Sequence, residues 1–220
     1  MKLTQRINRP QIAYKIALTL TLLIPFLITP AAWAHHPFGG QTPETFIQAF
    51  LSGVGHPVIG LDHLTFVIAS GLVALTVSRG VIVPLSFLGA ALFGTGFHLL
   101  AINLPLAEMV IMSSVILFGL ILVLYKPEHS LVPVFENPMV VASLAAMAGI
   151  FHGYAYGEAI IGAEMGPLFA YLIGFTLVQG VIAMSAYGLG KQLYLSFPAL
   201  MRYCGLAICA IGVVLLSPMM

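Results

Sequence analysis

Two short stretches of this chain combine histidine with carboxylate in otherwise apolar surroundings. The first holds His56, Asp62 and His63 within eight positions, and no charged residue follows it until Arg79. Imidazole nitrogen and carboxylate oxygen are ligands that suit borderline divalent cations. An ionised carboxylate at the centre of a membrane helix costs about 2.5–3.5 kcal/mol on insertion scales. The spacing therefore predicts a cation site at this stretch.

The second stretch reads Phe-His-Gly-Tyr-Ala-Tyr-Gly-Glu from position 151 and contributes His152 and Glu158. We expect the rest of the chain to bring the two stretches together. A shared cation would neutralise the carboxylates and satisfy the imidazoles, which removes the burial penalty that each group faces alone.

The composition indicates an integral membrane protein. The chain is 60% hydrophobic and only 7% charged, with a mean hydropathy of +1.06. Soluble domains carry about 25% charged residues. At 220 residues, one compact domain is expected.

The first 34 residues are typical of a secretory signal peptide. A basic segment precedes the apolar run 16–28, and Ala32-Trp33-Ala34 provides a small-x-small cleavage site. An uncleaved anchor helix is the alternative. Residues 35–220 then form one transmembrane domain, whose seven acidic residues outnumber its Lys and Arg (Arg79, Lys126, Lys191 and Arg202). This balance disfavours nucleic acid and fits a cation as the ligand.

The hydropathy pattern predicts an all-α fold with six transmembrane helices. A short interfacial or re-entrant helix at 43–55, capped by Thr42, precedes them, because that segment is shorter than the roughly 20 residues that cross a bilayer. The predicted spans are 58–78, 81–102, 104–125, 139–161, 166–190 and 197–216.

The charge distribution predicts the orientation. A signal peptide places the mature N-terminus outside, and six spans then return the C-terminus to the outside. The loops that carry Arg79, Lys126 and 191–202 fall on the cytoplasmic side, as the positive-inside rule requires. We therefore expect a multi-pass protein of the cytoplasmic (inner) membrane.

This topology places polar residues of four segments in the outer half of the bundle. Intramembrane ionisable groups usually face the interior and mark ion pathways. Taken alone, His98 is explained by a helix contact and Glu108 by a side chain that reaches the interface. The candidate metal-ligating set is His56, Asp62, His63, His98, Glu108, His152 and Glu158.

The two stretches also resemble a known family. His-Pro-Val-Ile-Gly-Leu-Asp-His at 56–63 resembles the N-terminal signature of the HupE/UreJ hydrogenase and urease accessory metal permeases. The stretch at 151–158 is similar to that family's second signature, Phe-His-Gly-x-Ala-His-Gly-x-Glu. Two positions depart from it: Tyr156 stands where the family has a second histidine, and Glu158 lies one position early.

The resemblance implies a secondary permease, not an enzyme, that takes up Ni²⁺ or Co²⁺ for metalloenzyme maturation. It implies no permanently bound cofactor, only the transported ion. The partners considered are the divalent metal ion, the lipid bilayer, a second copy of the chain and metalloenzyme maturation proteins. Two alternatives stay open: an intramembrane zinc hydrolase that uses the same residues, and a non-transporting membrane subunit for metal storage or assembly.

Overall fold

The structure is a computed structural model that describes residues 41–126, 132–197 and 199–219. Within these ranges the chain is helical and contains no strand. The predicted signal peptide at 1–34 lies outside the described residues.

The helices agree with the predicted all-α membrane fold. Their bounds are α1 Phe46–Ile59, α2 Leu61–Val73, α3 Ile82–Leu99, α4 Ala107–Leu124, α5 Pro138–Glu158, α6 Met165–Ser196 and α7 Ala199–Leu216, with 3-10 turns at Pro133–Glu136 and Ser217–Met219. Five of these helices, α3 to α7, are long and apolar enough to cross a membrane, and the bent pair α1–α2 makes a sixth span if it counts as one.

Helix α1 begins later than predicted. Its N-cap is Thr45, whose side chain accepts a hydrogen bond from the amide of Gln48, while the Gln48 side chain accepts from the Thr45 amide. This capping box satisfies amide groups that a helix start leaves without partners. The expectation that Thr42 caps the helix is wrong, because the Thr42 hydroxyl donates to the Ile161 carbonyl instead (3.0 Å).

The predicted span 58–78 is wrong at both ends. Helix α1 continues to Ile59, and the chain then turns by 78° at Gly60 into α2. Pro57 lacks the amide hydrogen that would continue the hydrogen-bond ladder of α1, which weakens its last turn. Helix α2 has 13 residues, about 20 Å at ~1.5 Å per residue. It is therefore shorter than the roughly 30 Å of a bilayer's hydrocarbon core.

Helix α2 lies at the centre of the bundle. Ten of its 13 residues are buried, and it packs against α4 and α6. Around it, α1 lies along α6, α3 along α5, and α4 along α7. The outer surface is apolar, with exposed side chains such as Ile47, Phe93 and Val181. This distribution fits contact with lipid on the outside and polar groups inside.

Helices α3 and α5 pack closely through small residues. A Cβ atom on Gly153 would overlap the carbonyl of Ala91, and the Thr95 hydroxyl lies 2.9 Å from the carbonyl oxygen of Gly153. Close approach through small residues is typical of membrane helix pairs. It fixes the height of His152, the neighbour of Gly153, within the bundle.

Candidate metal centre

Three fully buried histidines meet where α1, α2 and α5 converge. His56 comes from α1, His63 from α2 and His152 from α5, and none of them is exposed to solvent. The Nδ1 atoms of His63 and His152 are 2.8 Å apart. The rings of His56 and His63 have centroids 5.5 Å apart. Helices from both predicted stretches thus contribute to one histidine cluster.

The carboxylate of Asp62 lies beside this cluster. Its Oδ2 atom is 3.8 Å from Nε2 of His63, and the residue is 6% exposed. Asp62 belongs to the first turn of α2, where the unpaired amide groups of the helix start stabilise a negative charge. The break at Gly60 creates this helix start inside the protein.

Two hydroxyl groups form hydrogen bonds with ring nitrogens of His56 and His152. The Tyr171 hydroxyl on α6 is 3.0 Å from Nδ1 of His56, and the Ser114 hydroxyl on α4 is 3.1 Å from Nε2 of His152. Both are buried. Five helices therefore contribute side chains to the cluster.

Tyr156 fills the space between two of the histidines. Its ring centroid is 5.1 Å from that of His56 and 4.5 Å from that of His63. Its hydroxyl donates to Oε1 of Gln179 (3.0 Å), and the Gln179 amide donates to the carbonyl of Phe175 (3.0 Å). The buried glutamine therefore fixes the direction of the phenol hydroxyl.

The other predicted ligands are not brought into the cluster by the contacts described. His98 is half-buried, its ring lies 4.4 Å from that of Tyr154, and its Nδ1 is buried without a hydrogen-bond partner. Glu108, in the first turn of α4, is exposed. Glu158, the last residue of α5, is exposed as well.

Sequence reasoning missed Ser114, Tyr171 and Gln179. A signal existed for the last two, because they are eight positions apart on one helix, and positions two turns apart lie on the same face. No sequence signal distinguishes Ser114 from its neighbour Ser113, which is equally polar but exposed in the structure.

No group of three His, Cys, Asp or Glu side chains within the described ranges is placed so as to hold one ion. The cluster is held by hydrogen bonds in this arrangement. Of its members, the Asp62–His63 pair combines a carboxylate oxygen with a ring nitrogen at 3.8 Å. Two ligand atoms that each lie about 2.0–2.1 Å from one ion are about 3–4 Å apart. This pair therefore has the separation of two ligands of one cation.

Comparison with known proteins gives a consistent result. The family model described as HupE / UreJ protein matches residues 21–215 of the chain. The chain is 28% identical to Protein HupE from Rhizobium leguminosarum bv. viciae over 143 residues, which cover 64% of this chain and 70% of that protein. No solved structure matches.

Proposed function

The chain belongs to the HupE / UreJ family, and from this premise and the buried histidine cluster we propose that it carries a divalent transition-metal ion, Ni²⁺ or Co²⁺, across the membrane. The ion is the substrate of the protein and not a resident cofactor. It would contact Asp62 and His63, which already have the separation of two ligands, and His56 once its ring, 5.5 Å from that of His63 between centroids, moves closer; His152 is hydrogen-bonded behind His63. Delivery to hydrogenase, urease or another metalloenzyme is the physiological role that fits this substrate.

The observation that carries the proposal is Asp62 beside His63 in the interior of an apolar bundle. A buried carboxylate is costly unless a counter-charge pairs with it. After residue 34 the Lys and Arg residues are Arg79, Lys126, Lys191 and Arg202, and none of them lies in either of the two histidine-containing stretches. A divalent cation supplies the missing positive charge, and neutral imidazole favours Ni²⁺ and Co²⁺ over Mg²⁺ or Ca²⁺.

The driving force for uptake is available without nucleotide hydrolysis. Moving a dication inward along a membrane potential yields about 4.6 kcal/mol per 100 mV, from roughly 2.3 kcal/mol for each unit charge. The membrane potential can therefore drive uptake of a dication through a secondary permease.

The test is metal uptake into proteoliposomes that contain the purified chain. Ni²⁺, Co²⁺, Zn²⁺ and Cu²⁺ are supplied separately under an inside-negative potential, and internal metal is measured over time. Asp62→Asn should abolish accumulation, because the amide keeps the shape but removes the charge that holds the cation.

The matched control is Glu136→Gln, which removes a carboxylate from an exposed position in the loop before α5. We expect it to transport like the unsubstituted chain. Binding of metal without accumulation would contradict transport and favour a storage or assembly subunit. Full uptake by Asp62→Asn would remove Asp62 from the site.

A further inference from the structure

We infer that the hydroxyls of Tyr171 and Ser114 set the tautomers of the three histidines, so that Nε2 of His56 and Nε2 of His63 are the metal-binding nitrogens and His152 is a positioning residue. This inference deepens the proposed function and rests on it for the identity of the ion. The proton arrangement itself follows from the hydrogen bonds alone.

The first chain of hydrogen bonds starts at Tyr171. A phenol has one hydrogen to donate, and the Tyr171 hydroxyl donates it to the carbonyl of Tyr156 (2.8 Å), which accepts only. The contact of 3.0 Å between the same hydroxyl and Nδ1 of His56 is then a hydrogen bond donated by the histidine. His56 therefore carries its hydrogen on Nδ1, and in the neutral ring the lone pair is on Nε2.

The second chain starts at Ser114. Its hydroxyl donates to the carbonyl of Ile111 (2.6 Å), so its oxygen accepts from Nε2 of His152 at 3.1 Å. The ring of His152 lies between Phe66 and Phe87, with centroid distances of 4.7 and 5.5 Å. With its hydrogen on Nε2, the neutral ring of His152 has its lone pair on Nδ1, which is therefore an acceptor.

The tautomer of His152 determines that of His63. The two Nδ1 atoms are 2.8 Å apart, so one must donate and the other accept. Since Nδ1 of His152 accepts, His63 donates from Nδ1, and the lone pair of its neutral ring is then on Nε2. This is the same nitrogen that lies 3.8 Å from the Asp62 carboxylate.

The arrangement assigns different roles to histidines that look alike in the sequence. Both nitrogens of His152 are used, one by Ser114 and one by His63, so this residue acts on the ion only through His63. A histidine ligand commonly donates its other ring N–H to a fixed acceptor, which orients the ring and raises its basicity. The Tyr171 oxygen is this acceptor for His56, and Nδ1 of His152 is this acceptor for His63.

The direct test is ¹⁵N NMR of the histidine rings in the full chain, reconstituted in lipid nanodiscs without metal. Resonances are assigned with His56→Asn, His63→Asn and His152→Asn. We expect a proton on Nδ1 of His56 and of His63, and on Nε2 of His152. A neutral His56 or His63 protonated on Nε2, or a His152 protonated on Nδ1, would overturn the inference.

Two substitutions test the anchors. Tyr171→Phe should leave His56 in a mixture of tautomers and weaken Ni²⁺ binding by about 10–100-fold, as is usual when a partner behind a ligand is lost. Ser114→Ala should do the same to His152 and, through it, to His63. If either variant keeps both the wild-type tautomers and the wild-type affinity, that hydroxyl does not set the tautomer.

Each substitution has a control of the same chemistry. Tyr187→Phe removes a phenol hydroxyl further along α6, and Ser113→Ala removes an exposed hydroxyl next to Ser114. Both should change the Ni²⁺ affinity by no more than about twofold, since substitutions away from such contacts have small effects. The expected tautomers without any metal binding would support the proton arrangement and refute the metal as substrate. Reversed tautomers with intact Ni²⁺ uptake would refute the proton arrangement and support the metal as substrate.

Discussion

At the scale of single residues, Tyr156 differs most from what its sequence context suggests. The resemblance expects histidine at this position, four residues after His152. The structure places the tyrosine ring against His56 and His63 and directs its hydroxyl to Gln179 (3.0 Å). The Tyr156 ring therefore faces the cluster, but its hydroxyl is hydrogen-bonded to Gln179.

This geometry makes Tyr156→His a test of metal preference. An imidazole at this position would lie beside His56 and His63 and add a nitrogen ligand. We expect Ni²⁺ binding to tighten by about tenfold, or ~1.4 kcal/mol, measured by calorimetry with Ni²⁺, Co²⁺ and Zn²⁺ in turn.

Tyr156→Phe separates the two effects of that substitution. It also loses the hydrogen bond to Gln179, yet it adds no ligand. If the phenylalanine variant gains Ni²⁺ affinity as the histidine variant does, the gain comes from releasing Gln179 and not from a new ligand.

At the scale of elements, the break at Gly60 decides where the carboxylate lies. A continuous helix through positions 58–78 would give Asp62 no helix start beside it. The break creates one inside the bundle and turns α2 by 78° relative to α1. His56 at the end of one helix and His63 at the start of the next can then approach each other.

Gly60→Ala tests the space at this break. The backbone of Gly60 has φ −69° and ψ 105°, which alanine also adopts, so the turn itself should persist. An added Cβ would lie 2.7 Å from Cδ2 of His63 and 3.1 Å from Oδ1 of Asp62. Both side chains must shift, and we expect Ni²⁺ affinity to fall at least about tenfold, while overpacking costs about 1–3 kcal/mol of stability.

The control for this prediction is Gly96→Ala on α3, where an added Cβ meets no atom within 4 Å. Metal affinity and thermal unfolding are measured for both variants. If Gly60→Ala binds Ni²⁺ as tightly as Gly96→Ala, the side chains at the break do not need their present positions for binding.

At the scale of the whole molecule, the distribution of basic residues predicts that both termini face outward. A reporter that is active only in the cytoplasm, fused after Met220, should therefore be inactive, and one that is active only outside should be active. The control is the same pair of reporters fused after Lys126, where the pattern should reverse. Cytoplasmic activity after Met220 would contradict the proposed orientation, and with it the outward position of the cluster.

Several features of the protein follow from the sequence alone. An apolar composition with few charges requires a membrane, and in lipid the backbone must satisfy its own hydrogen bonds, which leaves helices as the natural solution for apolar segments of this length. Helices α3 to α7 accordingly lie within a few residues of the predicted spans, except that α6 continues to Ser196 and not to position 190. The sequence alone also shows histidine and Asp62 together in an apolar segment, where ionisable residues are rare.

Only the tertiary structure decided how these groups are used. Hydropathy is a property of neighbouring residues, whereas the contacts that orient the histidines join distant ones: Tyr171 and His56 are 115 positions apart, and His63 and His152 are 89 apart. Such pairs depend on which helices pack together and at what height. The same packing buries α2 at the centre, leaves Glu108 and Glu158 exposed, and gives both ring nitrogens of His152 a hydrogen-bond partner, because a side chain's role depends on the groups that surround it in space.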